Sequence, residues 1–497
     1  MGFFALGGNG TLGLVTITII ISFIYVASII FYRLFLHDLR SFPGPVCNRI
    51  SNIPRAYHVL NGNLPFHVRD LHIKYGPVVR ISPNELAFSD PQAWKDIYGH
   101  RSPGQEQFQK YMRFYSPFSR EAQSILAAPP DEHSFIRRQL SPGFSDRSMR
   151  GQEPIIGSYV NLLIERLRSR AEDGTKALNM REWMVWTTFD IIGDLGFGSS
   201  FECLESGNYH PWVKLITHTI KQNGRMQALG LLGLNPIIGW LITKGFFTKQ
   251  KQHMNMVKEK LLQRMDLGAE RPDLIGGLIS KNNKVQLPFE KLEMNAKTII
   301  VAGSETTATL LTGAMFLLTT HPKVLEKLTQ EVRSTFSKDD EISLLSVGKL
   351  NYMFACINES FRRYPPVGTG LPRQVPKGGG EVAGHVIPGG TVIAIWQWAI
   401  NHDPRNFKNP MEFHPERFLG DPAFEGDKLE AVQPFSVGPR NCIGKNLAYA
   451  EMRLILAKII FNFDMKIADH SRNWLENQKI YALWDKPALD VYLTPVY

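Results

Sequence analysis

Cysteine is scarce in this chain, and the spacing of its cysteines excludes two kinds of site. The 497 residues contain four cysteines, Cys47, Cys203, Cys356 and Cys442, which lie far apart in the sequence. No two of them have the Cys-x-x-Cys spacing of a metal or redox pair. So few thiols in so long a chain argue against a secreted protein held by disulfides and are typical of a reducing compartment.

Motifs for nucleotides and nucleic acids are also missing. No Gly-x-Gly-x-x-Gly opens a predicted helix after a strand, so no flavin or nicotinamide site is predicted within this chain. The net charge of +10 is not gathered into a basic arm with interleaved aromatic residues, which argues against a nucleic-acid partner. Anionic lipid and an acidic electron-donor protein are better matches for this charge.

Charge is absent from the start of the chain, because Arg33 is the first charged residue. Residues 11–32 are almost wholly apolar, and about 20 such residues cross a bilayer as one helix, so they predict a single membrane span. A signal peptide would have a basic start and a shorter apolar core, and a buried core helix would rarely be so uniformly apolar. Arg33 and Arg40 follow the span, which predicts that the rest of the chain is cytosolic.

No repeat, low-complexity tract or long linker divides the chain after residue 45, so we expect one large domain. Turn residues around alternating apolar stretches predict a β-hairpin at 75–88 and a strand, turn and strand within 381–395. Helical periodicity predicts amphipathic helices at residues 183–195, 254–265 and 322–336. A helix-rich middle between small sheets predicts a mainly α fold of the α+β class.

The most specific pattern is Phe-Ser-Val-Gly-Pro-Arg-Asn-Cys-Ile-Gly at residues 435–444, directly before a predicted helix. A cysteine in this position lies near the free N–H groups and the positive end of the helix, which stabilise the thiolate that binds metal. The glycines allow close approach to a flat cofactor, Phe435 supplies an apolar screen, and Arg440 can pair with an anionic edge. A haem held by one sulfur requires these features, and a buried free cysteine in a tight turn is the alternative.

A second pattern lies in an apolar helical stretch at residues 299–310, which an acid and two hydroxyls interrupt. Serine and threonine hydroxyls can bond back to the preceding turn and bend the helix, and Gly303 is expected to leave room for a small ligand. An acid beside an alcohol can relay protons without bulk water, so Glu305 and Thr306 are candidate catalytic residues. The alternative is an ordinary polar patch within a helix.

A third pattern pairs an acid and a base on one helical face. Glu359 and Arg362 lie three residues apart, just before a Tyr-Pro-Pro that stops the helix, and a later Pro-Glu-Arg-Phe segment contains Arg417. Taken alone, Glu359 and Arg362 would form a surface ion pair that contributes less than about 1 kcal/mol.

Together these patterns resemble the cytochrome P450 family, from about residue 41 to the end of the chain. The loop at 435–444 resembles the family's haem-binding loop, Ala-Gly-Ser-Glu-Thr-Thr at 302–307 resembles its oxygen-activating helix, and Glu359, Arg362 and Arg417 resemble its structural triad. The resemblance implies the P450 fold, mainly α with small sheets. Residues 41–497 would form a haem-thiolate catalytic domain, and residues 1–40 a membrane anchor and hinge.

The resemblance also implies roles for single residues. Cys442 would be the axial iron ligand of the haem (heme b), Thr306 the alcohol beside bound dioxygen, and Glu305 the acid in the proton route. Most of the remaining site residues would bind the haem propionates, and His133 stands where many members have tryptophan. The cofactor-binding residues would be Arg440, Arg373, Arg137, His133 and Phe435.

The implied activity is that of an NADPH-dependent monooxygenase in the endoplasmic reticulum membrane, with NADPH–cytochrome P450 reductase, and cytochrome b5 as a second candidate, supplying electrons. Its substrate would be a lipophilic small molecule, and hydroxylation, epoxidation, desaturation or ring coupling the outcome. Residues 37–45 look like those of filamentous-fungal members of specialised metabolism. A haem-thiolate isomerase or peroxide-using enzyme, and a non-catalytic membrane-tethered haem or lipid carrier, are the alternatives.

Substrate contacts are also implied by the resemblance, from residues 104–125, 229–242, 367–371 and the segment around Tyr481. The stretch at 229–242 is strongly apolar but is broken by glycine and proline, so it is too short to span a membrane. It is either core or a loop that dips into the membrane beside the substrate entrance.

Overall fold

Helices dominate the structure, a computed structural model that describes residues 7–102, 104–115, 123–244, 248–267, 271, 273–279, 287–476 and 478–496. The helices are α1 (Gly7–Phe31), α2 (Val46–Ile50), α3 (Ile53–Asn61), α4 (Leu64–Tyr75), α5 (Gln92–Tyr98), α6 (Met112–Tyr115), α7 (Pro130–Leu140), α8 (Asp146–Arg170), α9 (Met180–Phe197), α10 (Cys203–Ser206), α11 (Pro211–Leu231), α12 (Asn235–Thr243), α13 (Thr248–Asp266), α14 (Gly276–Ile279), α15 (Phe289–Thr320), α16 (Pro322–Thr335), α17 (Asn351–Arg363), α18 (Gln397–Asn401) and α19 (Lys445–Asn462). The strands are β1 (Val78–Ser82), β2 (Glu85–Phe88), β3 (Gln109–Lys110), β4 (Ala177–Asn179), β5 (Arg373–Gln374), β6 (Gly380–Val382), β7 (His385–Ile387), β8 (Val392–Ile395), β9 (Phe463–Ile467), β10 (Lys479–Ile480), β11 (Trp484–Asp485) and β12 (Asp490–Pro495). The prediction of a mainly α fold with small sheets is confirmed.

In the part of the chain that the structure describes, two helices are long and apolar enough to span a membrane, but their surroundings differ. The first, Leu12–Leu36, includes most of α1 and the π-helical turn Tyr32–Leu36 that follows it, and no part of its apolar window is buried in the protein. The second is α15, and 78% of its apolar window is buried inside the protein. The N-terminal helix is therefore the candidate membrane anchor, and α15 is a core helix.

The largest sheet has the strand order β1-β2-β8-β5-β3. Strands β1 and β2 form the predicted antiparallel hairpin, with Val78 opposite Phe88, and β8 lies parallel to β2. Every residue of these three strands is buried, as is typical of strands that are covered on both faces. The smaller sheets are β4-β12-β9, β6-β7 and β10-β11.

The predicted strand, turn and strand within 381–395 is confirmed as β7, a turn and β8, but these two strands do not pair with each other. Strand β7 pairs with β6 instead of β8, and β8 crosses to the large sheet to lie between β2 and β5. The physical reason is burial, because Val392–Ile395 is wholly buried in the large sheet whereas Val386 of β7 is 80% exposed. Gly390, whose φ is +80°, turns the chain from one sheet to the other.

The core is built around α15, which packs along α9 and also contacts α13, α16, α17 and α19. Nearly every residue of α9 is buried, and a helix that is apolar all round lies in the interior. The helices predicted at 183–195 and 322–336 are confirmed as α9 and α16, and 254–265 lies within α13. Helix α15, which contains the interrupted stretch at 299–310, and α19, which follows the cysteine loop, therefore belong to one core.

Candidate active site

The loop at residues 435–444 is closed by a backbone hydrogen bond from the Cys442 N–H to the Phe435 carbonyl, at 2.8 Å. Gly438 has a φ of +76°, and a Cβ there would lie 2.0 Å from the Tyr98 carbonyl oxygen, so the loop requires glycine at this point. Helix α19 begins at Lys445, as predicted. The fold therefore places the Cys442 thiol at the N-terminal end of α19.

The thiol of Cys442 reaches an accessible surface, whereas Cys203 and Cys356 are buried. Burial by the surrounding protein raises the pKa of the Cys442 thiol, and the Gly444 N–H and the Arg137 charge only partly oppose this shift. The predicted stabilisation of the thiolate by N–H groups at the helix end is present in the contribution of Gly444, but desolvation is the larger effect. A metal cation at the sulfur would supply the missing stabilisation, since thiolates bind metal in the deprotonated form.

Helix α15 has one accessible patch in its buried middle. Ala302 is exposed and Thr306, one turn later, is half-buried, while Ser304, Glu305 and Thr307 around them are buried. The Thr306 Oγ1 donates to the Ala302 carbonyl at 2.6 Å, which is the predicted back-bonding. Ala302 and Thr306 thus share the accessible side of the helix.

Gly303 does not lie on that accessible side. A Cβ at Gly303 would lie 2.7 Å from Cδ1 of Ile192, so this glycine allows α9 to pack closely against α15. The prediction that Gly303 leaves room for a small ligand stays a prediction, and its contact with Ile192 gives this glycine a packing role as well. Ala302 and Thr306 form an accessible surface of the helix.

The Glu305 carboxylate is buried in an ion pair with Lys486, from the segment after β11. The Lys486 ammonium also donates to Thr309 Oγ1 at 2.6 Å, and that hydroxyl in turn donates to the Glu305 carbonyl at 2.7 Å. Burial lowers the pKa of Lys486, and the Glu305 charge opposes this. Glu305 and Thr306 are neighbours in sequence, but the Glu305 carboxylate is held by Lys486.

The predicted propionate residues come together in a cationic cluster. It consists of Arg373, Arg440, Arg137, His133 and Lys110. Burial lowers the pKa of His133 to about 4, with further lowering by Arg440, Arg137, Lys110 and Arg373. Burial, followed by the charges of Arg373 and Arg440, holds the pKa of Lys110 well below its ordinary value.

Few hydrogen bonds satisfy the cations of this cluster. Arg440 donates from Nη2 to the Ala128 carbonyl at 2.9 Å, and its buried Nη1 has no partner among the described residues. Arg373 donates to the Phe108 carbonyl at 3.5 Å, and its buried Nε is likewise without a partner in the described part of the chain. Burial, and then Arg373, lowers the pKa of Arg440 to about 10. The cluster therefore favours an anion.

Two predicted cofactor residues, Arg137 outside the cysteine loop and Phe435 within it, hold the loop against neighbouring helices. Arg137 donates to the Asn441 carbonyl and to Asn441 Oδ1, at 2.7 and 2.6 Å, and so holds the residue before Cys442. The Phe435 ring packs against Phe361 and Tyr449, with centroid distances of 5.1 and 5.2 Å. These contacts fix the loop to α7, α17 and α19.

The third sequence pattern forms a buried charge network. The Glu359 carboxylate accepts two hydrogen bonds from Arg362, at 2.8 and 2.7 Å, and one from Arg417 at 3.4 Å. Arg417 also pairs with Asp427, which the sequence analysis missed. The Glu359, Arg362 and Arg417 side chains are 0% exposed, so the alternative of a surface ion pair is excluded. We call these four residues the Glu359 network.

Comparison with known proteins agrees with this geometry. The sequence model of the cytochrome P450 family matches residues 43–491. The chain belongs to the cytochrome P450 family.

Curated P450 relatives are similar over nearly their whole length. Cytochrome P450 monooxygenase tpeC of Talaromyces stipitatus is 48% identical over 96% of this chain and 94% of its own. The trichothecene C-15 hydroxylase of Fusarium sporotrichioides is 44% identical over 95% of this chain and 96% of its own. The averantin hydroxylase of Dothistroma septosporum is 42% identical, over 95% and 90% respectively.

As a P450, the chain is a haem-thiolate monooxygenase whose electrons come from NADPH through a reductase. The residues present fit the family's haem. A porphyrin needs a soft ligand for iron and cations for two propionates, and the accessible thiol and the under-bonded cationic cluster provide both.

Lys110 and Lys486 are the residues of this site that the sequence analysis missed. Neither lies in a recognisable motif, and each contacts partners that are distant in the chain. Lys486 is 181 residues from Glu305, and Lys110 meets the charges of Arg373 and Arg440. Only the fold shows that they belong to the site.

Proposed function

We propose that this P450 oxidises a lipophilic small molecule of fungal specialised metabolism, with hydroxylation as its main outcome. The names of its relatives support this, since one is a trichothecene C-15 hydroxylase and another an averantin hydroxylase. The single observation that carries the proposal is the accessible Cys442 thiol at the start of α19, next to a cationic cluster.

In this proposal the Cys442 thiolate would hold the haem iron, and the haem would supply the oxidising chemistry when bound. Arg440, Arg373 and Lys110 pair with the propionates, because their charges lie close together and Arg440 Nη1 and Arg373 Nε have no partner among the described residues. Arg137 orients the cysteine loop through its two bonds to Asn441. Phe435 screens the sulfur side of the site from water by its packing on α17 and α19.

The proposed proton route uses Thr306 and Glu305. Thr306 Oγ1 lies at the accessible patch of α15, where it can give a proton towards a ligand and be resupplied. The Glu305 carboxylate is the proposed relay: once it parts from the Lys486 ammonium it takes up a proton from solvent water and passes that proton to Thr306 Oγ1. The buried side chains around this pair keep bulk water away from the route.

The membrane position is proposed from the exposed apolar residues. Besides the N-terminal helix, Ile53 and Tyr57 of α3 are 65% and 60% exposed, and Ile237 and Trp240 of α12 are 55% and 57% exposed. Exposed apolar residues of this size suit a membrane surface, which favours the interpretation of 229–242 as a segment that dips into the bilayer. The proposed membrane is that of the endoplasmic reticulum, crossed once, with residues 41–497 in the cytosol as the catalytic domain.

The proposed electron donor is NADPH–cytochrome P450 reductase, with cytochrome b5 as a second donor. The chain's net charge of +10 supports an acidic partner. Turnover that depends on NADPH and reductase would also exclude the haem-thiolate isomerase, the peroxide-using enzyme and the non-catalytic carrier.

The testing experiment combines spectra with product analysis in membranes that contain the reductase. The ferrous carbon monoxide complex should absorb at the position of sulfur ligation, and Cys442→Ala should remove this absorbance. The control is Cys47→Ala, because Cys47 is also an exposed thiol and should leave the spectrum unchanged. A Cys442→Ala protein with an unchanged spectrum would contradict the proposal.

A further inference from the structure

Two cavities meet near the membrane-facing end of the fold. The inner one is narrow, with a volume of about 20 Å³, and its lining includes Thr369, Gly370 and Tyr481, from segments implied to contact substrate. The outer one has a volume of about 550 Å³, and Arg33 and Leu231 are among its lining residues. A passage that holds about one water next to a wide vestibule indicates a constriction between them.

Arg55 and Glu85 are the constriction, because they line both cavities. Arg55 Nη2 donates to Glu85 Oε1 at 3.0 Å, and the two side chains are 10% and 6% exposed. Arg55 belongs to α3 and Glu85 to β2, so the ion pair bridges a helix and the large sheet. Separation of the two side chains would join the inner cavity to the outer one.

The Arg55–Glu85 ion pair is held by fewer hydrogen bonds than the Glu359 network. It has one hydrogen bond between its partners, and Arg55 Nε is buried without a partner among the described residues. Burial raises the pKa of Glu85, and the Arg55 charge only partly opposes this. Arg362, by contrast, makes two bonds to Glu359 and further bonds to the carbonyls of Asn401, Pro410 and Glu412. The Arg55–Glu85 pair can therefore open without loss of the fold.

The mouth of the outer cavity lies at the foot of the membrane anchor. Arg33 is in the π-helical turn that ends the N-terminal helix, and Leu231 is the last residue of α11. Asn52 donates to the Leu231 carbonyl at 3.3 Å, which ties the start of α3 to this helix end. The exposed Ile53 and Tyr57 flank the same region, so a molecule dissolved in the bilayer would reach the outer cavity directly.

We propose that Arg55 and Glu85 form a gate on a route by which a neutral lipophilic substrate passes from the membrane to the haem pocket. The inference rests on the proposed function, in which a lipophilic molecule binds over the haem. Opening of the gate then limits the rate of binding and of release, and it leaves the affinity itself unchanged.

The test uses the full-length holoenzyme in phosphatidylcholine nanodiscs and clotrimazole, a lipophilic imidazole whose binding shifts the haem spectrum. Stopped-flow absorbance gives its association and dissociation rates for wild type, Glu85→Gln and Arg55→Met. Both rates should rise about tenfold in each variant at an unchanged Kd, the effect of removing one hydrogen bond between charged groups. Imidazole itself is small and polar, and its rates should change less.

The matched control is Asp273→Asn, which weakens the Arg264–Asp273 ion pair at 2.6 Å. That pair is also buried, with side chains 4% and 0% exposed, and neither residue lines the two cavities, so clotrimazole rates should stay at the wild-type value. Exchange of the charges, Arg55→Glu together with Glu85→Arg, should restore slow binding. If Arg55→Met does not fold, Glu85→Gln, which removes the negative charge of the pair at nearly constant volume, carries the test by itself.

Unchanged clotrimazole rates in the gate variants would overturn the proposal, and so would a changed Kd with an unchanged association rate. An equal acceleration in Asp273→Asn would show general loosening and would also overturn it. Failure of the proposed function has a different signature, because wild type would then show no sulfur-ligated haem spectrum and no shift with clotrimazole.

Discussion

Two groups of buried charge lie on either side of the cysteine loop, and only one of them is neutralised by the protein. In the Glu359 network two carboxylates face two guanidinium groups, and every side chain is at most 2% exposed. In the cationic cluster the acceptors for Arg440, Arg373 and Lys110 are backbone carbonyls of Ala128, Phe108 and Leu126. The first group is complete as it stands, and the second group needs an anion.

This difference separates a scaffold from a binding site. A buried charge that is paired within the chain contributes to the fold, whereas a set of like charges held together by the fold costs stability until a ligand neutralises it. The cationic cluster shows this cost in its pKa values, since burial and neighbouring cations lower those of Arg440 and His133 to about 10 and about 4. The predictions below remove one charge at a time from either side of the comparison.

The largest effect is expected from Arg362→Ala in the Glu359 network. Among the described residues it leaves the fully buried Glu359 carboxylate with Arg417 as its one paired cation and the His414 N–H as a further donor, and loss of one partner from a buried ion pair costs about 3–5 kcal/mol in the free energy of unfolding. Denaturant titration of the purified protein measures this change, and haem should be lost with the fold. Lys176→Ala is the control, because its pair with Glu172 is exposed and should contribute less than about 1 kcal/mol. Equal losses in the two variants would contradict the distinction.

A smaller loss is expected from Lys486→Met, which leaves the Glu305 carboxylate buried without its cation. A lone buried carboxylate takes up a proton, and Lys486 makes two side-chain hydrogen bonds where Arg362 makes five, so the loss should be about 2 kcal/mol at neutral pH. The folded state then binds more protons than the unfolded state, and the variant should lose further stability as pH rises from 5 to 8. Thermal unfolding at several pH values measures the slope. Lys486→Arg keeps the charge and should keep the wild-type slope.

The local parts of this molecule were predictable from sequence. Helix α19 begins at Lys445 as predicted, the hairpin of β1 and β2 is present, and Glu359 pairs with Arg362 three residues away. Each of these depends on neighbours within a few residues, where spacing and turn chemistry decide the structure. The family resemblance supplied the rest of the site expectations.

The contacts between distant segments were not predictable. Gly303 is a glycine because Ile192 of α9 packs against it, and β8 leaves its neighbour β7 because the large sheet buries it. Glu305 pairs with Lys486, which lies 181 positions away in the sequence. Asp427, which pairs with Arg417 in the Glu359 network, lies in a loop that contains no motif. Such pairs are fixed by packing of the whole core, which leaves no periodic signal in either segment. The assigned catalytic and cofactor roles stay predictions.

On the other side of the comparison, Arg440→Leu should have opposite effects on haem and on the haem-free protein. It removes one cation from the propionate side, so haem should dissociate about tenfold faster, as expected for loss of one charge-assisted hydrogen bond. It also removes like-charge repulsion from Arg373, so the haem-free protein should be no less stable than wild type. Haem transfer to apomyoglobin and denaturant titration measure the two effects. Arg138→Leu, at an exposed arginine of the same region, should change neither.

The smallest effect concerns His133, whose pKa is lowered to about 4 by burial and by the neighbouring cations. Its unfolded pKa is about 6.5, so the unfolded state binds more protons between these values, and the stability present above pH 6.5 is lost as pH falls towards 4. His67 and His72, lowered to about 4 mainly by burial, contribute in the same window, so the measured quantity is the difference between wild type and His133→Gln. The full shift corresponds to about 3 kcal/mol between pH 7 and pH 4, and for the haem-free protein we expect about a third of it, because Arg137, Arg440 and Lys110 are only half-buried and solvent screens their charges. This stability difference should be smaller when haem is bound. The propionates would then offset the cations that disfavour a charged His133 imidazole in the haem-free protein. An equal difference with and without haem would mean that the propionates do not change the pKa of His133. It would contradict the predicted role of His133 in propionate binding.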